Sequence, residues 1–408
     1  MNQSHLSVRT AMLAAVLLTG SLALAGCSGA TTTGSGAKPV AADAKAVISH
    51  LPAALKSQYV AATSNVEVSP YADFKKIEGP WKVCFSDSFE GNSWRVAVKN
   101  ELSRLSEQYK KDKLVSSFEV AVSENDVARQ NQQIRQFTSQ KCSVIIVIAG
   151  SSTGLNQAIQ ASKAAGIPVV TIAGSVTSAA AVNVDSNYNV MGRDLAKAVS
   201  EKSKNVLMVK GIEGNPVAVQ QNQGAKQEWA KTGTTIASEV NGNWTPSVTK
   251  SAVLTALTTS AAPVGAVWST GSETSIIAQA FKDSGKPAPL ITGSITGDAL
   301  GFWKANPDYF KFDGVALTPS WTAQTGFNIA MRILQGNGPK LSTMMVPIPR
   351  VTEADLPALY ESCMTVDAAS VFPVVKADPL PSDLMDSYFK TAGNVGPFQY
   401  SQTPDPCS

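Results

Sequence analysis

Val144-Ile145-Ile146-Val147-Ile148-Ala149, then Gly150-Ser151-Ser152-Thr153-Gly154, then a helical face of Leu155, Ala158, Ile159 and Ser162, is the stretch that decides the fold. Six apolar residues, mostly β-branched, read as a short strand covered on both faces. The small hydroxyl loop ends it, and the 3.6-residue spacing that follows predicts a helix. The same rhythm begins at Trp81. Apolar runs recur at 81–85, 118–122, 144–149, 169–172, 181–184, 205–209, 236–240, 266–268, 290–292 and 314–317, with helical faces such as Trp94, Val98, Leu102 and Leu105 between them. Strands alternating with helices form parallel sheets. About ten strands are too many for one small sheet, and the pattern divides near 185–189. The predicted class is α/β, with two doubly wound parallel-sheet lobes. Ligands of such sheets bind beyond the carboxyl ends of the strands. The loops of interest are therefore 87–95, 150–154, 174–178, 211–221, 269–273, 293–297 and 318–321.

The chain has 408 residues, of which 16% are charged, with a net charge of +3. That is below the usual ~25% charged, and no basic block is interleaved with aromatics, so nucleic acid is not an expected partner. At the N-terminus, Arg9 precedes an apolar segment from Met12 to Leu24, too short to span a bilayer. Leu24-Ala25-Gly26-Cys27 resembles a bacterial lipobox, whose cysteine is lipidated and becomes the new N-terminus. The resemblance implies a signal peptide at 1–26 and a lipid on Cys27. The body would then be anchored at the outer face of the cytoplasmic membrane. Residues 27–40, rich in Gly, Ser, Thr and Ala, read as a flexible tether. Residues 41–78 form an N-terminal extension with one short helix expected at 52–61, its proline in the first turn.

Four further cysteines could bridge outside the cytoplasm. Cys363 and Cys407 flank a proline-rich stretch, where a bridge would pin the tail. Cys84 and Cys142 are expected to stay unbridged as buried small hydrophobes. An offset of about four residues along neighbouring strands, at ~3.3 Å each, exceeds the ~7 Å reach of a disulfide.

Gly150-x-Ser152-x-Gly154 matches a hydrolase nucleophile elbow, but no histidine follows His50, and a serine without a base is not activated. An exported hydrolase is therefore disfavoured. Ser151 and its neighbours read as helix-capping residues that can also hold a polar ligand. No cluster has metal-ligand spacing, and no phosphate-cradling loop occurs, so neither metal nor cofactor is expected. Phe89, Trp94, Trp268 and Trp321 each fall in or beside a strand-end loop. There, aromatic faces beside Asn, Ser and Arg suit a sugar or similar polyol.

The stretch from Phe85 to Arg95, FSDSFEGNSWR, resembles the first strand and ligand loop of type I solute-binding proteins of sugar ABC transporters. Further matches are Ala164-Ala165-Gly166-Ile167-Pro168-Val169-Val170, Val184-Asp185 followed by Gly192, and Gly211-Ile212-Glu213-Gly214. The resemblance covers about 80–340. It implies two lobes joined by three crossings, 79–185 plus 320–345 and 186–319 plus 346–408. A monomer would close on a carbohydrate and present it to a permease, or, as an alternative, to a membrane sensor. The implied site joins Ser88, Phe89, Asn92, Trp94, Arg95 and Ser151 of the first lobe to Asn215, Trp268, Ser269 and Ser294 of the second. Asp185, Asn187, Thr318 and Trp321 stand at the crossings. Arg95 is the expected charged donor to the ligand, with little role in stability. Where pentose and hexose binders place charged or amide residues, this chain has Ala173-Gly174, Val219, Gly271-Ser272 and Ser294. A ribose-like or galactose-like ligand is therefore not implied.

Overall fold

β-branched and aromatic runs form six strands in each of two sheets. The computed structural model describes residues 42–60, 62, 65–260, 262–375, 379–393 and 406–407. The signal segment, the tether and Cys27 lie outside the described residues. In the first lobe, β1 (Trp81–Asp87), β2 (Val115–Val122), β3 (Val144–Ile148), β4 (Val169–Ile172) and β5 (Ala181–Asp185) are parallel. In the second, β6 (Asn205–Lys210), β7 (Thr235–Asn241), β8 (Ala266–Trp268), β9 (Leu290–Ile291) and β10 (Lys311–Val315) repeat the pattern. The chain then returns β11 (Thr343–Met345) to the first sheet and β12 (Arg350–Thr352), antiparallel, to the second. The sheet orders are β11-β5-β4-β3-β1-β2 and β12-β10-β9-β8-β6-β7. The two-lobe α/β expectation is met.

The central strand β3 is buried along its whole length. Val144, Ile146 and Ile148 pack on one face with Val98, Leu102 and Phe327, while Ile145 and Val147 pack on the other with Ile134, Leu155 and Ile159. Each fully buried Val or Ile contributes roughly 1.5–3 kcal/mol. A charge at Ile146 would therefore disrupt the first lobe. These helices leave the strand-end loops at one edge of each sheet, which is where the site forms.

The sheets are joined by three crossings: after β5, after β10 and after β11. The first and third are tied together, since Val346 N donates to Asp185 O at 2.8 Å and Ser186 Oγ to Val346 O at 2.8 Å. The extension packs on the first lobe through Leu51, Leu55 and Tyr59. It holds a helix at Ala42–Ser49 that the periodicity did not suggest. The expected helix shortens to Ala53–Lys56 and a 3-10 turn at Ser57–Tyr59. Residues 346–408 do not all belong to the second lobe, because Leu380, Met385, Tyr388 and Phe389 are buried in the first-lobe core. Arg332, fully buried, anchors this return with its Nη2 2.6 Å from Asp386 Oδ1 and its guanidinium over the Phe389 ring.

The Cys363–Cys407 bridge is present. The Cys84–Cys142 expectation is overturned: these two also form a disulfide, with Cα atoms 6.0 Å apart. Cys142 does not lie in line with β3. Lys141 takes a positive φ of 58°, and Cys142 N donates back to Phe137 O at 3.1 Å. The residue thus approaches over the sheet face, where Cys84 also points, rather than along the strand. Among the described residues no helix is long and apolar enough to cross a membrane.

Candidate functional site

The first-lobe wall grows from one loop. Beyond β1, Asn92 caps the helix Ser93–Lys111 by accepting from Arg95 N at 3.0 Å, placing Trp94 and Arg95 in the first turn. Arg95 is only 4% exposed and donates from Nη1 to Asp87 Oδ1. Burial pushes the Asp87 carboxyl up to about 6, against the opposing pull of Arg95 and of the Phe89 amide. The other donors of this wall are also engaged. Asn92 Nδ2 donates to Trp244 O across the cleft at 3.1 Å, and Trp94 Nε1 to Leu317 O at 2.8 Å.

The second-lobe wall is assembled from three separate segments. Helix Pro216–Thr232 carries Gln221 and packs tightly on helix Tyr188–Lys202. A Cβ at Gly192 would stand 2.1 Å from Gln221 O, so only glycine permits this approach. Gln221 Oε1 accepts from Thr270 Oγ1 at 2.8 Å. Trp244, from the loop after β7, and Glu273, from the loop after β8, meet at Gly271. A Cβ there would lie 2.7 Å from Trp244 Cδ1 and 2.1 Å from Glu273 Oε2. Burial pushes the Glu273 carboxyl up to about 7, with Asp298 adding to the rise. The amides of Glu273 and Ser272 pull the other way, and among the described residues no cation contributes.

Between the walls lies a cavity of about 70 Å³, lined among others by Asn92, Trp94, Arg95, Gln221, Trp244 and Glu273. A second cavity of about 50 Å³ adjoins it on the crossing side, sharing Trp94 and Tyr188 and reaching Asp185, Thr318 and Trp321. Burial, reinforced by Asp185, holds the Tyr188 phenol well above its ordinary value, so it is a neutral hydroxyl. Indole faces beside amide, hydroxyl and carboxylate groups can stack on C–H surfaces while bonding polar substituents.

Of the residues expected at the site, Asn92, Trp94, Arg95 and Ser294 line the larger cavity, and Asp185, Thr318 and Trp321 the smaller. Phe89 lines a separate cavity of about 380 Å³, with Asn125 and Asn243. The others line neither cavity. Trp268 is wholly buried, bonds Gly192 O through Nε1 at 3.1 Å and packs edge-on against Trp229, so it belongs to the core. Asn215 caps its helix by accepting from Val217 N, and Ser269 accepts from Gly271 N. Ser151 accepts from Gly154 N within its own turn. Asn187 is held by the extension, donating to Gln58 O and Val60 O at 2.9 Å. Ser88 is buried at the end of β1. Arg95 is a buried ion-pair member as well as a cavity residue, which corrects the expectation that it has little role in stability.

Sequence reasoning missed Tyr188, Gln221, Trp244, Thr270, Ser272 and Glu273. Four of these, Gln221, Thr270, Ser272 and Glu273, fall in the loops of interest at 211–221 and 269–273, and the carboxylate directly follows Gly271-Ser272. The signal for Trp244 was an indole after Asn241-Gly242-Asn243, a turn directly after a strand.

Residues 83–338 match the periplasmic binding protein domain family. Among solved structures, the chain is similar to an ABC transporter solute-binding protein from Thermobispora bispora, with 25% identity and a TM-score of 0.63 over 69% of this chain and 88% of that one. A second is an ABC transporter solute-binding protein from Mycobacterium smegmatis with bound glycerol, at 17% identity, TM-score 0.62, covering 73% and 100%. A third is the binding component of an arabinose ABC transporter from a Shewanella species, bound to arabinofuranose, at 21% identity, TM-score 0.59, covering 68% and 93%. No curated protein matches the chain. The family match spans most of both lobes, and the sheet order repeats in each, so the chain belongs to the periplasmic binding protein domain family, in its type I fold.

Proposed function

We propose that this chain is a lipid-anchored solute-binding protein that captures a sugar or related polyol between its lobes and delivers it to an ABC transporter permease. The observation that carries the reading is the cleft itself. Trp94 and Trp244, from opposite lobes, line one cavity with Arg95, Gln221 and Glu273 at the carboxyl ends of both sheets. Structurally similar proteins bound to glycerol and to arabinofuranose support a polyol as solute. Closure follows from contacts that a ligand makes with both walls at once, with the crossings at 185–187, 318–321 and 346 as hinges. Calorimetry on the detergent-purified full chain against pentoses, hexoses, amino sugars, inositol and glycerol should find a binder that also shrinks the radius of gyration. No binding across that panel refutes the reading. Anchoring is tested separately: Cys27→Ala should release the protein from membranes on fractionation, because the buried acyl chains supply the attachment.

A further inference from the structure

The charges lining the larger cavity do not balance. Arg95 is neutralised within its own wall by Asp87, so its positive charge is already matched. Opposite, Glu273 is buried, and among the described residues no lysine, arginine or histidine pairs with it. Asp298 stands behind Glu273, and Asp185 lies beside Tyr188 toward the crossings, so the nearby groups add negative charge. The carboxylate also has an aromatic neighbour. Glu273 Oε2 and Trp244 Cδ1 both crowd the place of the Cβ that Gly271 lacks, which sets the oxygen beside the indole. Trp94 and Tyr188 line the same space.

A neutral polyol would leave this carboxylate without a counter-charge. An ammonium would supply one, donating charge-assisted hydrogen bonds to Glu273 while meeting an indole face, where cations are attracted by the ring quadrupole. We propose that the solute is an amine-bearing sugar or polyol whose ammonium is held by Glu273 against Trp244. This deepens the solute-binding reading and rests on it. The proton balance follows. In the empty cleft burial holds the Glu273 carboxyl up at about 7. An arriving ammonium favours the carboxylate, so at pH 6 binding releases a proton from Glu273 to the buffer.

The test is calorimetry on the detergent-purified full chain with matched pairs: D-glucosamine and D-glucose, D-galactosamine and D-galactose, N-methyl-D-glucamine and D-glucitol. In at least one pair the amine should bind about tenfold tighter or more, the order expected for hydrogen bonds between charged groups. Its enthalpy at pH 6 should vary with the ionisation enthalpy of the buffer. Glu273→Gln should abolish both the preference and the proton release while the folded state persists. Trp244→Leu should weaken the amine more than its hydroxyl partner, and it carries the test if Glu273→Gln fails to fold. Hydroxyl members binding as well as or better than the amines would overturn the amine assignment and leave solute binding standing. An unchanged ratio in Glu273→Gln would do the same. Absence of binding by every member of every pair would overturn both.

Discussion

The two walls of the cleft are built differently. On the first-lobe side Asn92, Trp94 and Arg95 are neighbours in sequence, and each is held by the protein itself, through Trp244 O, Leu317 O and Asp87. The second-lobe side brings Gln221, Trp244 and Glu273 from three segments and, among the described residues, sets no cation against the buried carboxylate. The polar groups of the first wall are already engaged, Arg95 within its own lobe and Asn92 across the cleft. The second carries a buried carboxylate that, among the described residues, no cation matches, so in the empty cleft a proton neutralises it as pH falls below about 7.

The largest expected effect separates core from wall within the second lobe. Trp268→Ala should cost roughly 3–5 kcal/mol of unfolding free energy, as for other buried aromatic truncations. Trp244→Ala should cost less, about 1–2 kcal/mol, because this indole is only half-buried against the same cluster as Trp268, and should act mainly on affinity. Urea titrations of both variants would decide, and similar losses would erase the distinction. Next, Arg95→Ala should destabilise by about 3 kcal/mol, the lower end of what breaking a buried pair costs. It falls at that end because Asp87, already raised to about 6, can take up a proton. A change below 1 kcal/mol would mean that the first wall does not depend on this pair.

The pH dependence sharpens the contrast further. Asp87 and Glu273 titrate higher in the folded chain than their ordinary values, so the folded state holds protons that the unfolded chain gives up. Their contribution to stability is therefore greatest at low pH. It declines as pH rises through about 6 for Asp87 and about 7 for Glu273. Comparing unfolding free energies of the parent and Glu273→Gln from pH 4 to 8, the variant should decline less steeply below pH 6 and stop declining above about pH 6, whereas the parent declines to about pH 7. Parallel profiles would show that Glu273 does not titrate in this window. The smallest effect should come from Ser151→Ala. Its hydroxyl serves only its own turn, so a loss of about 0.5–1 kcal/mol with unchanged ligand affinity is expected by thermal shift and calorimetry.

The legibility of the site followed the same division. In the loop after β1, Asn92, Trp94 and Arg95 line the cavity because the helix start fixes their direction, whereas Ser88 and Phe89, earlier in the same loop, do not. Trp268 misled because position at a strand end says nothing about which face of the sheet a side chain takes; there it packs on Trp229. Glu273 lay in an inspected loop but next to two small residues, and its importance comes from Trp244, some thirty positions earlier, folding over Gly271.

Alternation of buried strands and amphipathic helices, a local property, determined the two-lobe α/β architecture, and the order of strand-end motifs determined the family. The lipobox likeness of the first residues is also a local reading. Tertiary structure decided what depends on approach between distant segments. It brought Cys142 over the sheet to Cys84, turned Arg95 inward onto Asp87, and folded residues 380–389 back into the first lobe. It also left Glu273 buried beside an indole, with no cation among the described residues to match it. Burial and charge pairing are sums over everything that surrounds a group, and the neighbours that decide them are set by packing rather than by adjacency along the chain.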